Sequence, residues 1–167
     1  MPTRPPDTRT MPPSDPPAAE LREQPGHLIR RAHQIAVSMF LESLGREITP
    51  VQYAVMRQLE DCPGLDQVSL AREVALDTST TADIAARLES KGWIVREMLP
   101  RRQRRLVLTA QGEAVLQRLE PGIQRLQQRL LEPLDDGERA EFLRLLRKFV
   151  RLNSEQGRAP ERSEGEG

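Results

Sequence analysis

One stretch of this chain breaks its own rhythm. From residue 27 onward apolar side chains recur at helical spacing, except over residues 93–109. There, Trp93-Ile94-Val95-Arg96-Glu97-Met98 and Arg105-Leu106-Val107-Leu108-Thr109 read as two strands. Between them lies Leu99-Pro100-Arg101-Arg102-Gln103-Arg104, a basic turn. The expected fold is therefore mainly α with one small β-hairpin, a wing carried by helices.

The helical stretches have legible ends. Residues 27–44 carry Leu28, Ala32, Ile35, Ala36, Met39 and Ser43 at helical spacing, with Phe40 beside them, and Gly45 as a C-terminal stop. Thr49-Pro50 with Gln52 is a capping-box start, and Val51, Ala54, Val55 and Leu59 form the stripe predicted to be buried. Cys62-Pro63-Gly64 ends that helix. Asp66 caps Gln67–Val74, and Asp77 to Ser79 cap a helix over Thr78–Lys91 that Gly92 terminates. Two short helices joined by a tight turn make a helix-turn-helix. After the hairpin, a helix over 110–132 carries Leu116, Leu119, Ile123, Leu126 and Leu130, a heptad seam of the kind that packs on partner helices. Pro121-Gly122 is expected to kink it. A last helix starts at Asp135 with Glu138 as cap partner and is expected to bury Phe142, Leu145, Leu146, Phe149 and Leu152.

Composition bounds the rest. Eight of the 14 prolines fall in residues 1–25, too polar and too proline-rich a segment to bury a core, so 1–25 reads as a disordered arm. Residues 153–167, rich in Gly, Glu and Arg, read as a disordered tail. Residues 26–152 form the folded domain, with the winged helix at about 48–110 between flanking helices at about 27–45 and 110–152. Lys and Arg total 25 and Asp and Glu total 25, which excludes a uniformly basic coat but not a local basic patch. Cys62 is the only cysteine, so there is no intrachain disulfide, which suits a reducing cytoplasm. No run of about 18 apolar residues is present and no membrane role is expected.

The wing is that basic patch. Arg101, Arg102, Arg104 and Arg105 place four guanidinium groups in five residues. Each neutralised phosphate releases counterions, and a thin Arg-bearing hairpin fits a narrow minor groove. The helix from Thr78 is the candidate reader of bases. Thr78, Ser79, Thr80, Thr81 and Ala82 are small enough for close approach, and their hydroxyls donate or accept. Any one of the hydroxyls is equally readable as a simple helix cap. Asp83 either accepts from a cytosine amine or lies off the interface. Arg87 and Lys91 either reach the DNA backbone or serve within the protein. The sequence contains no Gly-rich phosphate loop, metal-spaced Cys/His set or catalytic triad, so no enzyme activity, cofactor or metal is expected.

The stretch from Ile48 to Gly112 resembles the MarR family of bacterial winged-helix regulators. The matching residues are Thr49-Pro50 with Tyr53, Leu70-Ala71, Asp77-Thr78-Ser79-Thr80, Arg87-Leu88-Glu89-Ser90-Lys91-Gly92-Trp93-Ile94-Val95-Arg96, and Leu106-Val107-Leu108-Thr109-Ala110-Gln111-Gly112. The resemblance implies a homodimer whose first, fifth and sixth helices intertwine. Each winged helix then reads half of an inverted repeat in double-stranded DNA, with half-sites about 10 bp apart. The wing departs from the family pattern. Arg102 matches the arginine that enters the minor groove, but Pro100 stands where the family has Asp, and the hairpin is about two residues short. The groove-entering arginine is one of Arg101, Arg102 and Arg104.

The resemblance also implies release from DNA by a small aromatic carboxylate bound between the dimerisation helices and the winged helix, as in members controlling aromatic-compound degradation. Candidate ligands to that effector are His27, Arg31, His33, Gln34, Ser38 and Tyr53. On a helical wheel His27, Arg31, Gln34 and Ser38 fall within about 60°. Arg31 suits a bidentate clamp on a carboxylate, while Tyr53 either lines the cavity or fills the core. Two other readings compete: a redox switch at Cys62, and a helical interaction protein without DNA binding. The expected location is the bacterial cytoplasm, on the nucleoid when DNA-bound.

Overall fold

The computed structural model describes residues 20–98 and 104–156. The wing-tip residues Arg101 and Arg102, and most of the predicted arm and tail, lie outside the described residues. Six α-helices and one antiparallel hairpin are present among the described residues. They run α1 (Pro25–Leu44), α2 (Pro50–Asp61), α3 (Gln67–Glu73), α4 (Thr78–Ser90), β1 (Ile94–Met98), β2 (Arg104–Leu108), α5 (Ala110–Leu131) and α6 (Asp136–Gln156). α6 thus continues past residue 152, where the sequence reading ended it.

The chain divides into two compact units, residues 1–35 and 36–167. Among the described residues, the first unit contains one 3-10 turn, Leu21–Glu23, and the beginning of α1. Its Leu28, Ala32 and Ile35 recur at helical spacing as expected and are exposed, as is Ile29.

The second unit carries the core. Phe40, Ile48, Val55, Met56, Leu59, Leu70, Ala85, Leu88, Trp93, Ile94 and Leu106 pack with Val115, Leu116, Leu119, Ile123 and Leu126 of α5. Local chemistry sets the ends. Thr49 and Gln52 form the complete capping box, each side chain bonding the other's backbone N–H at 3.2 Å. That box turns Gln52 inward, so α2 buries Gln52, Val55, Met56 and Leu59 while Val51 and Ala54, expected inside, are exposed. α1 ends where Gly45 takes φ +77, and Gly45 N–H donates to Leu41 O.

α5 is one helix through Pro121, with no break in its span. Its next residue explains the sequence pair: a Cβ on Gly122 would lie 2.4 Å from Leu44 Cδ2, so glycine permits the close approach of α5 to the end of α1. Four of the five seam residues of α5 are buried within this one chain, and only Leu130 is exposed. The seam therefore fills the protomer's own core and does not require a partner helix. α6 is the reverse case. Phe142, Leu145, Leu146, Phe149 and Leu152, all predicted to be buried, are exposed, Phe142 at 44% and Phe149 at 48%. The apolar spacing is helical as expected, but nothing among the described residues covers the face.

Candidate DNA interface and effector site

Two aspartates shape the helix-turn-helix. Asp66 caps α3, accepting from Val68 N–H (2.9 Å), Ser69 N–H (3.0 Å) and Ser69 Oγ (2.8 Å). α3 closes at Val74, Ala75 takes the left-handed φ of 54°, and Leu76 N–H returns to Ala71 O at 2.9 Å. Asp77 then caps α4, accepting from Thr80 N–H (2.7 Å) and Thr80 Oγ1 (2.5 Å). These Thr80 bonds, the hydroxyl foremost, hold the Asp77 carboxyl below its ordinary pKa. Gln67 Nε2 donates to Thr78 O at 3.3 Å and ties α3 to the start of α4.

The hydroxyl run predicted to read bases divides accordingly. Thr81 is fully buried (0% exposed) and its Oγ1 donates to Asp77 O at 2.9 Å. It is a core residue, placed inward by the same helical phase that buries Ala85 and Leu88. Thr80 is exposed, but its hydroxyl is engaged by Asp77. Thr78 and Ser79 are exposed, Ala82 is half-buried, and Asp83, Ala86 and Arg87 continue the exposed face. Sequence reasoning missed Ala86; the i, i+4, i+7 step from Ser79 was the signal available for it. With a carboxylate at its cap, this helix end offers phosphate less attraction than a bare N-terminus. Its chemistry suits base edges better.

The wing's register pairs Ile94 with Leu108 and Met98 with Arg104. β2 is also held on its other side, Gly64 N–H donating to Leu106 O (3.2 Å) and Leu106 N–H to Leu65 O (2.9 Å). Arg105 was predicted to contact DNA. Register places it opposite Glu97, and its Nε donates to Glu97 Oε2 at 2.6 Å. Arg105 braces the hairpin, and its charge is matched within the fold. Arg104, paired with Met98 at the turn end of the hairpin, is exposed.

A junction lies at the other end of α4. Lys91, its C-cap, donates from Nζ to the Glu47 carbonyl and sits 4.3 Å from the centroid of the Trp93 ring. The Glu47 carboxylate accepts from Arg118 Nη2 of α5 at 3.1 and 3.2 Å. Thr109, the cap of α5, donates its hydroxyl to Gly92 O (2.6 Å) and its N–H to Trp93 O (3.0 Å). A Cβ on Gly112 would lie 2.1 Å from Trp93 O, so α5 begins in direct contact with the start of β1.

In the first unit, His27 and Arg31 come together with Arg22 and Leu28 around an open hollow of about 420 Å³. Arg22 was missed because it lies in the proline-rich segment; its spacing to His27 and Arg31 is not that of one continuous helix. His33 is exposed and lies about 240° around α1 from His27, so the two histidines do not share a face. Gln34 accepts from Arg30 Nη1 at 3.1 Å. In the second unit, Ser38 Oγ donates to Glu42 at 3.2 Å, and Tyr53 is half-buried with its ring 6.0 Å from Phe40. Burial, and then the nearby Glu120 carboxylate, push the Tyr53 hydroxyl up, so it stays a neutral donor. Cys62 is exposed at the C-cap of α2. Among the described residues no His/Cys/Asp/Glu group is placed to hold a metal, and no helix is long and apolar enough to cross a membrane.

Comparison with known proteins converges on one family. The transcriptional regulator HosA of Escherichia coli O111:H- is 33% identical over 132 residues, 78% of this chain and 97% of that protein. The structure of the transcriptional regulator PcaV from Streptomyces coelicolor, in complex with its natural ligand, superposes with a TM-score of 0.75 at 37% identity, over 80% of this chain and 96% of that one. BpsR from Bordetella bronchiseptica, whose DNA binding is regulated by 6-hydroxynicotinic acid, gives a TM-score of 0.75 at 28% identity, over 80% and 99%. These relatives are regulators, not enzymes. Residues 48–106, from just before α2 into β2, match the MarR family, and the chain belongs to that family of DNA-binding winged-helix transcriptional regulators.

Proposed function

We propose that the protein is a homodimeric repressor that binds an inverted-repeat operator and is released by a small aromatic or heteroaromatic carboxylate. The observation that carries the effector half is the hollow at the start of α1, where Arg22, His27 and Arg31 surround the apolar Leu28. A guanidinium clamps a carboxylate bidentately, an imidazole bonds a ring hydroxyl or nitrogen, and Leu28 packs on the ring. His33, Gln34, Ser38 and Tyr53 are secondary candidates. The regulation of BpsR by 6-hydroxynicotinic acid supports the ligand class. Control of aromatic-compound degradation in the bacterial cytoplasm follows from it.

The dimer is supported by the exposed apolar face of α6. Fully burying one Leu or Phe contributes roughly 1.5–3 kcal/mol, so covering the remaining exposure of five such residues is a substantial driving force for pairing. In the dimer, Thr78, Ser79 and Ala82 face the major groove, with Arg87 further along α4. Arg104, with Arg101 and Arg102, takes phosphates and the minor groove. Effector binding favours a dimer whose two heads no longer match half-sites about 10 bp apart, and this requires a higher effector affinity in that state.

The test is fluorescence anisotropy on the gene's own upstream DNA, with salicylate, protocatechuate, hydroxycinnamates and 6-hydroxynicotinate. Tight binding abolished by one acid, with Arg31→Ala retaining DNA affinity but needing at least tenfold more acid, is the expected result. Release by peroxide alone moves the switch to the exposed Cys62. Absence of binding at low salt overturns the proposal.

A further inference from the structure

We infer that Lys91 and Glu47 are positioning residues for DNA reading: their junction fixes the angle of α4 against α5, so Lys91 governs sequence discrimination rather than phosphate affinity. The inference rests on α4 being the reading helix, and the controls below separate the two.

Lys91 sits at the C-cap of α4, the position from which a lysine would ordinarily be assigned to a DNA phosphate. Its ammonium is instead engaged by the protein's own groups, although the residue is exposed. It donates to the Glu47 carbonyl, 44 residues earlier, and lies against the face of Trp93. Trp93 is buried and begins the segment that leads into β1. The residue that supplies this carbonyl, Glu47, is held by its own carboxylate to Arg118 on α5. One lysine thus joins the end of the reading helix to the α1–α2 connection and, through Glu47, to the long helix. The Arg118–Glu47 pair is well exposed, 59% and 60%, and an ion pair of that kind adds little to stability. Its consequence is geometric.

The geometry works as a lever. α4 has 13 residues, so its reading end lies about 19 Å from Lys91 at ~1.5 Å per residue. A swing of about 3° at the cap moves Ser79 by about 1 Å, beyond the roughly 0.5 Å within which a recognition site must be held. Hydrogen bonds to base edges fail at such displacements, whereas attraction to phosphates is long-ranged and tolerates them. Loosening the cap therefore costs specificity first.

The experiment uses the full-length protein and a duplex that the wild type selects from a random pool, beside a scrambled duplex of equal length. Affinities for both are measured across a salt series for wild type, Lys91→Met, Lys91→Arg and Ser79→Ala. Lys91→Met is expected to lower the ratio of selected to scrambled affinity about tenfold, with scrambled affinity and both salt slopes unchanged. Lys91→Arg, which retains a cation over the ring, recovers most of the ratio. Trp93 is the sole tryptophan, so its emission reports directly on loss of the stacked ammonium while circular dichroism verifies the fold. A salt slope reduced by about one on both duplexes makes Lys91 a phosphate contact and overturns the inference. An unchanged ratio in Lys91→Met overturns it as well. If Ser79→Ala keeps the full ratio while Lys91→Met loses it, the base contact moves to another α4 residue and Lys91 keeps its role. If the wild type selects no sequence at all, the proposed function fails before the junction is addressed.

Discussion

α5 and α6 are near twins on paper and opposites in space. They have 22 and 21 residues, both amphipathic, both with leucine-rich stripes. α5 buries its stripe against Phe40, Val55, Leu59 and Leu106. α6 leaves Phe142, Leu145, Leu146 and Phe149 in solvent. Periodicity states that a face will be covered; it does not state by what. A heptad seam is therefore weak evidence for a second chain, and an uncovered apolar face on a finished fold is stronger evidence.

The largest effect expected from this contrast is in α5. Leu116→Ala should destabilise the protomer by about 2–5 kcal/mol, with a urea midpoint that falls equally at all protein concentrations. Phe149→Ala in α6 should leave protomer secondary structure intact and raise the dimer dissociation constant at least tenfold, read by sedimentation. A concentration-independent loss of stability in Phe149→Ala would put α6 in the protomer core and erase the contrast.

Smaller effects belong to the self-packed head and should not depend on concentration. Asp77→Ala should lower the thermal midpoint by removing the cap of α4. The Asp77 pKa is depressed by its Thr80 bonds, so the cap stabilises fully above the unfolded value of about 3.9 and is lost as pH falls through the lower folded value. Wild type and Asp77→Ala should converge in strong acid, and a gap in midpoints that persists there would exclude the carboxylate as its source. Smallest is Ala75→Gly. Ala75 is a non-glycine residue in the left-handed region, where the strain of about 1–2 kcal/mol outweighs glycine's entropy cost of roughly 0.5–1. Thermal unfolding should show a gain of about 0.5 kcal/mol.

What the sequence made legible was whatever is decided within a turn or two of the chain. The Thr49 box, the Asp66 and Asp77 caps, the Asp135–Glu138 pair and the glycine stop at Gly45 all depend on neighbours three or four residues away. The hairpin was legible because its period differs from its surroundings. Phase was harder. Thr81 looks like Thr80 in the sequence, and one residue of helical rotation buries one and exposes the other. Register was harder still, since the Arg105–Glu97 pairing follows from which residues face each other across the strands. Lys91 and Glu47 are 44 residues apart, and no local rule joins them. The same limit hid Arg22, whose place beside His27 and Arg31 depends on how the chain turns at Glu23–Gln24.

The Asp77 cap has a kinetic consequence. The front of α4 carries Asp77 at its cap and Asp83 on its exposed face, both acidic. If α4 reads bases as proposed, arbitrary DNA would present this front with phosphates and no compensating base contacts, and each such encounter would be brief. In the proposed complex a matching half-site would offset this weak phosphate attraction with hydrogen bonds to base edges. In the proposed repressor the negative front end would thus shorten the dwell on wrong sequence and leave the search along the genome fast, while the residence at the operator would be set by the fit.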